Sequence, residues 1–430
     1  MADSEKLRIA IIGAGIAGLA AAIALQRHEG IDVQVYERAP ELREIGASIA
    51  LGPNGMKALE RLGVHEALSD ELAFRNKSGF PMIYRHWKTN EVISVDEHRG
   101  DIEYRHRTSR FYRAHLQQAL AAHVEPERIH LNKSFVTIGQ SQETDETLIA
   151  FADGSTTSAD IILGADGIQS AVRRSFVPTS RPKWTGWVAF RSVFDADFVS
   201  HIPGVLDEAY HWWGPDRTFF SSRLGKNLFT IVGGSYSDPD AADPLYKDST
   251  WNSEGGLAAL KDFYKDWHPT IRAMIEASPY TRMYPNTFAS ALDTWIHGHR
   301  NVTYAGDAAH AHGGAFAAGG SLALDDAWAF ARAIFHVFPP DTATKPSKVE
   351  ITKALQLYER TRKPHTDRVL ATVHANNRKA VERLGKEETD EQLINRMRSR
   401  ADPFWIHEHD VEATFEQVVR EEQGEVQARL

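Results

Sequence analysis

The chain has 430 residues, enough for two or three domains with large cores, and a formal net charge of −9 that argues against a nucleic-acid groove. With 42% hydrophobic and 25% charged residues, its composition is that of an ordinary globular protein. There is no cysteine, which excludes disulfides, thiolate zinc sites and any dithiol redox relay.

The first element is a short apolar run, Ile9–Ile12, leading into Gly13-Ala14-Gly15-Ile16-Ala17-Gly18. A helical pattern follows (Leu19, Ile23, Leu25), then a second apolar run (Val33, Val35) that ends in Glu37. This is the strand–turn–helix–strand unit that holds an ADP moiety. Gly13 makes the tight turn, Gly15 lets the backbone approach a pyrophosphate, and Gly18 lets helix and strand pack closely. The helix N-terminus offers free N–H groups and a positive dipole end to the phosphates. Glu37 stands where a carboxylate accepts ribose hydroxyls, with Arg38 beside it. Ile9 to Leu25 is uncharged, so a membrane helix or a signal peptide must be weighed. The run is at the short limit for spanning, is broken by glycines, and has no cleavage region before the next strand. No second glycine fingerprint follows, so any electrons pass directly between bound cofactors and substrate.

Pro40 breaks the second strand. Ile45-Gly46-Ala47-Ser48-Ile49 is a small-residue segment suited to a flat ligand, or an ordinary glycine turn. Pro53-Asn54-Gly55 opens a helix that Gly63 ends. Residues 74–107 alternate polar and apolar positions, as in exposed antiparallel strands. Arg110 to Ala122 reads as an amphipathic helix, with Arg113 near its start: a cation for a phosphate, or a solvated helix charge. Strands are expected at 129–131, 135–138 and 148–151, with a hairpin turn at Asp153-Gly154. A buried strand, Ile161–Leu163, then runs through Gly164-Ala165-Asp166-Gly167 into a helix bearing Arg173 and Arg174.

From Pro182 to Pro285 aromatics crowd in, among them Trp184, Trp187, Phe190, Tyr210, Trp212, Trp213, Phe219, Phe220 and Tyr236. Strand patterns dominate, with a helical stretch at Leu257–Ala277. This reads as a separate β-rich domain over the cofactor, its aromatics serving as core or as the wall for a flat ring. Arg300 to His310 is a strand ending in Asp307. A small-residue loop, Gly313 to Gly320, then enters a helix at Ser321–Phe335 that carries Asp325 and Asp326. His297, His299, His310 and His312 lack acidic or cysteine ligands at recognisable spacing, so no metal is expected. Residues 349–430 read as amphipathic helix interrupted near Pro403, where Phe404, Trp405 and Ile406 dock.

Three segments together resemble one family: GAGIAGL with Glu37, GADGIQSAVR, and GDAAH followed by the glycine-rich loop and LDDA. They are similar to the single-component FAD-dependent aromatic hydroxylases, the group that includes p-hydroxybenzoate and salicylate hydroxylases. YERTRKPH (Tyr358–His365) and WIHEHDVEATFE (Trp405–Glu416) resemble the C-terminal part of salicylate-hydroxylase-like members. The implied architecture is α/β: a three-layer, Rossmann-like FAD domain (1–181 and 286–370), an inserted β-rich substrate domain (182–285) and a C-terminal helical segment (371–430).

The resemblance also assigns roles. Gly13, Gly15, Gly18 and Glu37, with Arg38 and Ala47, would hold FAD through its ADP half and the segment beside it. Arg113 would contact FAD, and Asp166-Gly167 would serve both FAD and NAD(P)H. Asp307 would bind the ribityl chain, and the loop ending in Gly319 and Gly320 would lie against the isoalloxazine. That loop departs from the common pattern of a proline, then G-x-G and an asparagine: the matching positions are Gly314, Ala317, Gly319 and Ser321. The variant HGGAFAAGGSLALDDA resembles fungal hydroxylases that dearomatise resorcinol-type polyketide aldehydes, and fungal salicylate-hydroxylase-like proteins.

The implied reaction is NAD(P)H- and O2-dependent hydroxylation of an electron-rich phenol by a flavin C4a-hydroperoxide, with a resorcinol-type aldehyde as first candidate. The alternatives are decarboxylative hydroxylation of a salicylate, an oxidase or reductase without oxygen insertion, and a non-enzymatic dinucleotide-binding regulator. A cation beside the phenol lowers its pKa by stabilising the phenolate. Arg191, in an apolar strand where it needs a partner, is the first candidate and Arg223 the second. Tyr236 could hydrogen-bond the phenolate or a carbonyl, and His312 could sit at the flavin face. Beyond the small aromatic substrate, NAD(P)H and O2, neither nucleic acid nor membrane is expected as a partner. The oligomeric state stays open, a homodimer included. Cytoplasmic location is the expectation, with Ala428-Arg429-Leu430 resembling a peroxisomal address.

Overall fold

The computed structural model describes residues 6–42, 47–141, 146–241, 253–254, 256–342 and 344–427. Ile45-Gly46 and the C-terminal tripeptide lie outside them. The chain starts with β1 (Leu7–Ile12), α1 (Ile16–Leu25), β2 (Ile31–Tyr36), β3 (Ser48–Leu51) and α2 (Pro53–Arg61). It continues through β4 (Ile83–His86), β5 (Val92–Val95), β6 (Ser109–Tyr112), α3 (Arg113–Ala122), β7 (Ile129–His130), β8 (Phe135–Gln140), β9 (Thr147–Phe151), β10 (Thr156–Ala159), β11 (Ile161–Gly164) and α4 (Ala171–Phe176). The aromatic region holds β12 (Lys183–Asp195), β13 (Tyr210–Trp213), β14 (Thr218–Arg223), β15 (Leu228–Tyr236), β16 (Ser253–Glu254), α5 (Leu257–Phe263), α6 (Pro269–Ala277) and β17 (Arg282–Phe288). Last come β18 (Val302–Tyr304), α7 (Asp307–His310), α8 (Gly319–Val337), α9 (Lys348–Glu382), α10 (Asp390–Arg398), α11 (Phe404–His407) and α12 (Val411–Gln427).

The first layer is a five-stranded sheet in the order β18-β11-β1-β2-β7, parallel throughout. Its strands are continuous Ile, Val and Leu runs because helices or a second sheet cover both faces. Every residue of α1 is buried, as expected for a helix apolar on all sides. Its alanines let it lie tightly between the sheet and α8. On the opposite face lies the three-stranded meander β8–β10. Tyr36 of β2 stacks on Phe151 of β9 at 4.9 Å, and its hydroxyl donates to Thr157 at 3.2 Å.

The second body is an eight-stranded sheet, β16-β17-β12-β15-β14-β13-β4-β5. It extends beyond the 182–285 region, because β13 pairs in parallel with β4 (Tyr210 opposite Ile83) from far upstream. Side chains alternate across it. One face, with Phe190, Phe194, Trp212, Phe219, Phe229 and Ile231, packs against Leu260, Tyr264, Ile271 and Met274 of the α5–α6 region as a separate core.

Two expected elements shift. The helix expected from Arg110 starts at Arg113, since Ser109–Tyr112 is extended and pairs with β3. The stretch Leu257–Ala277 is two helices, the second opened by Pro269 at its first turn. Among the described residues, no helix is long and apolar enough to cross a membrane.

Candidate active site

A continuous cavity of about 1530 Å³ runs from the carboxyl ends of β1 and β11 to the inner face of the eight-stranded sheet. At its first end the backbone is shaped for a phosphate-bearing ligand. Gly13 has φ +109°, and a Cβ there would come within 2.5 Å of the Ala165 carbonyl. A Cβ on Gly15 would meet nothing within 4 Å, because this position faces the cavity. Gly18 is absent from the wall and acts by packing: a Cβ would lie 2.0 Å from the Gly13 carbonyl oxygen. The N-terminus of α1 has no side-chain cap and no acid in its first turn, which leaves its N–H groups to an anion.

Glu37 is fixed at the wall. Its Oε2 accepts the Ala14 N–H at 2.8 Å and its Oε1 the Ala39 N–H at 2.9 Å. Each oxygen keeps a lone pair for a sugar hydroxyl. Arg38 and Ala47 line the same end. Arg113, first residue of α3, also lines it and anchors to the Ala47 carbonyl through its own N–H at 2.9 Å. Asp166 and Gly167 follow β11 on the wall. The Asp166 carboxylate caps α4, accepting the N–H groups of Ala171 and Val172 at 2.7 and 3.1 Å, and burial pushes its pKa up.

Asp307 opens α7 after Gly306, whose φ is +60°. This turn is held from behind by a buried network. Asp326 of α8 accepts the Gly306 N–H at 2.8 Å, His310 Nε2 at 2.6 Å and Arg362 Nε at 2.8 Å. Gly320 lies on the wall and closes on β3, where a Cβ would meet Ile49 and Leu51 at 2.7 Å. Gly319 lies against His312. A capless helix N-terminus, an open Gly15, a fixed acid and this second turn fit FAD.

The far end is a chamber walled largely by aromatic side chains. One face of the second sheet supplies Tyr84, Trp187, Arg191, His211, Trp213, Phe220, Val232 and Tyr236. The Arg191 guanidinium sits 5.7 Å over the Tyr284 ring, and its buried Nε makes no hydrogen bond among the described residues. Arg191 NH2 lies 3.7 Å from the Cβ position of Gly314, which sets this cation beside the loop. Burial first, then Arg113, lowers the Arg191 pKa. His312 also lines the chamber, both ring nitrogens without a hydrogen-bond partner among the described residues. Burial holds its pKa down at about 4, so the imidazole is neutral.

The structure does not bring Arg223 to this chamber. Arg223 shares the parity of Phe219 on β14, whereas Phe220 faces the cavity, and it lines a separate cleft of about 400 Å³ with Asp70 and Tyr104.

Several wall residues carry no local sequence signal. Tyr84 donates to Asp96 at 3.0 Å, and Arg400, ion-paired to Asp96, stacks 3.8 Å over the Tyr84 ring. Phe404 and His407 of α11 also reach the wall. Burial lowers the His407 pKa to about 4, with the neighbouring Phe316 backbone acting in the opposite sense. Only the docking expected at Phe404–Ile406 pointed there.

The FAD binding domain model matches residues 6–215. A 6-hydroxynicotinate 3-monooxygenase from Bordetella bronchiseptica is 30% identical over 86% of this chain and 91% of its own. The chain belongs to the FAD-dependent aromatic hydroxylases. A salicylate hydroxylase from Pseudomonas putida is 28% identical over 96% of this chain and 94% of its own. The solved salicylate hydroxylase substrate complex shares the fold, with a TM-score of 0.79 at 22% identity, covering 96% of this chain and 98% of that one. This hydroxylase is thus a flavoprotein monooxygenase of the salicylate-hydroxylase type, with FAD as its cofactor.

Proposed function

We propose that this hydroxylase consumes NAD(P)H and O2 to hydroxylate an electron-rich hydroxyarene bound as its phenolate. The observation that carries the reading is the Arg191 guanidinium, with an unpaired Nε, set in the aromatic chamber beside the Gly313–Gly320 loop. Bound FAD, once reduced, supplies the electrons that turn O2 into an electrophilic oxygen donor. The chain binds, orients and excludes water. Arg191 stabilises the phenolate, which lowers the phenol pKa and enriches the ring in electrons. Neutral His312 offers one donor and one acceptor nitrogen to the ring substituents. Trp187, Trp213 and Phe220 wall the ring in.

A hydroxylated aromatic acid is the favoured substrate class. The relatives reported above, a 6-hydroxynicotinate monooxygenase and a salicylate hydroxylase, are named for such acids. A resorcinol-type aldehyde, with dearomatisation, is the second reading, supported by the departure of the loop after His312 from the common pattern. A screen of salicylates and hydroxybenzoates against resorcinol-type aldehydes, scoring NAD(P)H oxidation and product mass, separates the two. Exchange of a carboxyl for a hydroxyl marks decarboxylative hydroxylation; retention of the carbonyl carbon with one added oxygen marks the others. Arg191→Ala should keep FAD but release peroxide in place of product. Fully coupled turnover in that variant would refute the role of Arg191.

A further inference from the structure

The α9 face that borders the chamber changes character along its length. Val369 and Val373 pack with Ala318, Leu322 and Ile406 beside the loop. One turn further, at helical spacing, Asn376, Asn377, Ala380 and Arg383 line the same cavity. Neither asparagine side chain nor the Arg383 guanidinium makes a hydrogen bond or ion pair among the described residues. Two other arginines on this rim are engaged, whereas Lys379 of the same helix lines the cavity with no carboxylate in contact among the described residues. Arg396 holds Glu388 at 2.8 and 2.7 Å, and Arg400 holds Asp96. Arg383 is the one of these three arginines without a carboxylate in contact, and burial followed by Arg396 depresses its pKa.

The same cavity is lined by Trp187 and Tyr236, cross-strand neighbours on β12 and β15 with ring centroids 4.6 Å apart, and Tyr236 lies within electrostatic reach of Arg383. The Trp187 indole lies down on Gly234, where a Cβ would clash at 1.9 Å, so the glycine sets the tilt of the platform. The hydroxyl of Tyr236 has no partner among the described residues, and burial raises its pKa. Two amides, a guanidinium and a phenol, all without hydrogen-bond partners among the described residues, thus line one cavity with a tryptophan ring. In a chain of net charge −9, an unneutralised cation there focuses anions into the cavity.

We propose that Asn376, Asn377 and Arg383, with Trp187 and Tyr236 of the same cavity wall, form a subsite for the anionic group of a planar ligand entering the chamber. Two ligands offer that chemistry: the carboxylate of an aromatic acid substrate and a phosphate of the nicotinamide dinucleotide. The subsite rests on the reading of the cavity as a hydroxylase chamber, and it adds the residues that select charge at the entrance. A guanidinium at this position pairs with carboxylate or phosphate through two N–H donors, which an ammonium cannot reproduce.

The test uses FAD-replete Arg383→Gln, Arg383→Lys and Asn377→Ala proteins. Salicylate affinity is read from the perturbation of the flavin spectrum, without NAD(P)H present. NADH and NADPH affinities are read from the concentration dependence of anaerobic flavin bleaching. Both are measured at low and high salt. Arg383→Gln should raise the Kd of one ligand about tenfold at low salt, and high salt should shrink that difference. Arg383→Lys should recover part of the loss. A rise for salicylate assigns the site to substrate, and a rise for NAD(P)H assigns it to the dinucleotide. If Arg383→Gln loses FAD, Asn377→Ala carries the test with a smaller shift in the same ligand. Kd values for all three ligands within twofold of wild type overturn the proposal. Because these affinities are read without product formation, a failed substrate screen would sink the functional reading and leave this result standing.

Discussion

Asp326 is the sharpest point at which packing and cofactor binding meet. Its carboxylate is fully buried, as is the Arg362 side chain that donates to it. Asp326 Oδ1 takes Arg362 Nε at 2.8 Å; Oδ2 takes both the Gly306 N–H at 2.8 Å and His310 Nε2 at 2.6 Å. In Asp326→Asn the volume is kept, but one of the two positions becomes an NH2. Whichever way the amide flips, it faces a donor that cannot turn away: the guanidinium or the backbone N–H of Gly306. Breaking a buried pair by removing one partner costs about 3–5 kcal/mol. The same change frees the Gly306 turn that places Asp307 on the cavity wall, so FAD affinity should fall with stability. Urea denaturation of the apoprotein reads the first effect and flavin fluorescence titration the second. Asp326 holds a pKa below its ordinary 3.8 because His310 and Arg362 outweigh burial. Its contribution is therefore complete above that value and lost only as pH falls through the folded pKa, so the deficit of the variant should be constant from pH 6 to 8. An Asp326→Asn protein with a wild-type urea midpoint and wild-type FAD affinity would refute this account. Asp325→Asn is the control. Burial raises the Asp325 pKa to about 6, so this group favours the folded state as pH falls through 6, and removing it should abolish that trend at a smaller cost near pH 7.

The glycines of the first turn should separate by role: Gly18→Ala should destabilise the fold, whereas Gly15→Ala, with open space at its Cβ position, should leave urea stability intact and weaken FAD binding. Equal urea stability in the two variants would contradict that division. Phe316 and Ala317 both sit in the left-handed region, at φ +56° and +51°, which costs a non-glycine residue roughly 1–2 kcal/mol. The buried His407 imidazole lies beside the Phe316 backbone on the cavity wall, so His407→Ala should raise peroxide release per NAD(P)H, and adding Ala317→Gly should restore part of the coupling. A coupled His407→Ala enzyme would show that the loop holds itself. Burial keeps His211, His312 and His407 neutral, with pKa values near 4 against an ordinary 6.5. Their stability is present above 6.5 and withdrawn as pH falls toward 4, on the order of 1 kcal/mol each between pH 7 and 5.5. Urea midpoints that rise over that interval would contradict it.

The cofactor end was legible because its chemistry is local. Gly13, Gly15, Gly18 and Glu37 lie within one strand–helix–strand unit, where spacing alone sets the geometry. The aromatic end of the cavity is assembled from β4, β12–β15, α9 and α11, whose pairings depend on register and docking rather than spacing. Arg191 and Arg223 show the difference. Each looked like a cation in a strand, but only the parity of each strand relative to the flavin loop decides which one enters the chamber. On β12, Val188, Phe190 and Phe194 share one face with the α5–α6 core, so Trp187 and Arg191 must share the other. On β14, Phe219 takes the core face, which sends Phe220 to the chamber and Arg223 away from it. The aromatic density of this region therefore has two causes. Phe190, Trp212 and Phe219 make the sheet stable enough to serve as a wall, while Trp187, Trp213 and Phe220 are the wall itself. A one-residue slip of β12 would exchange the sets, burying Arg191 in an apolar core and turning Phe190 toward the flavin loop. The charge of Arg191 thus makes that slip costly, so the cation assigned to the phenolate also helps to hold the register that presents it.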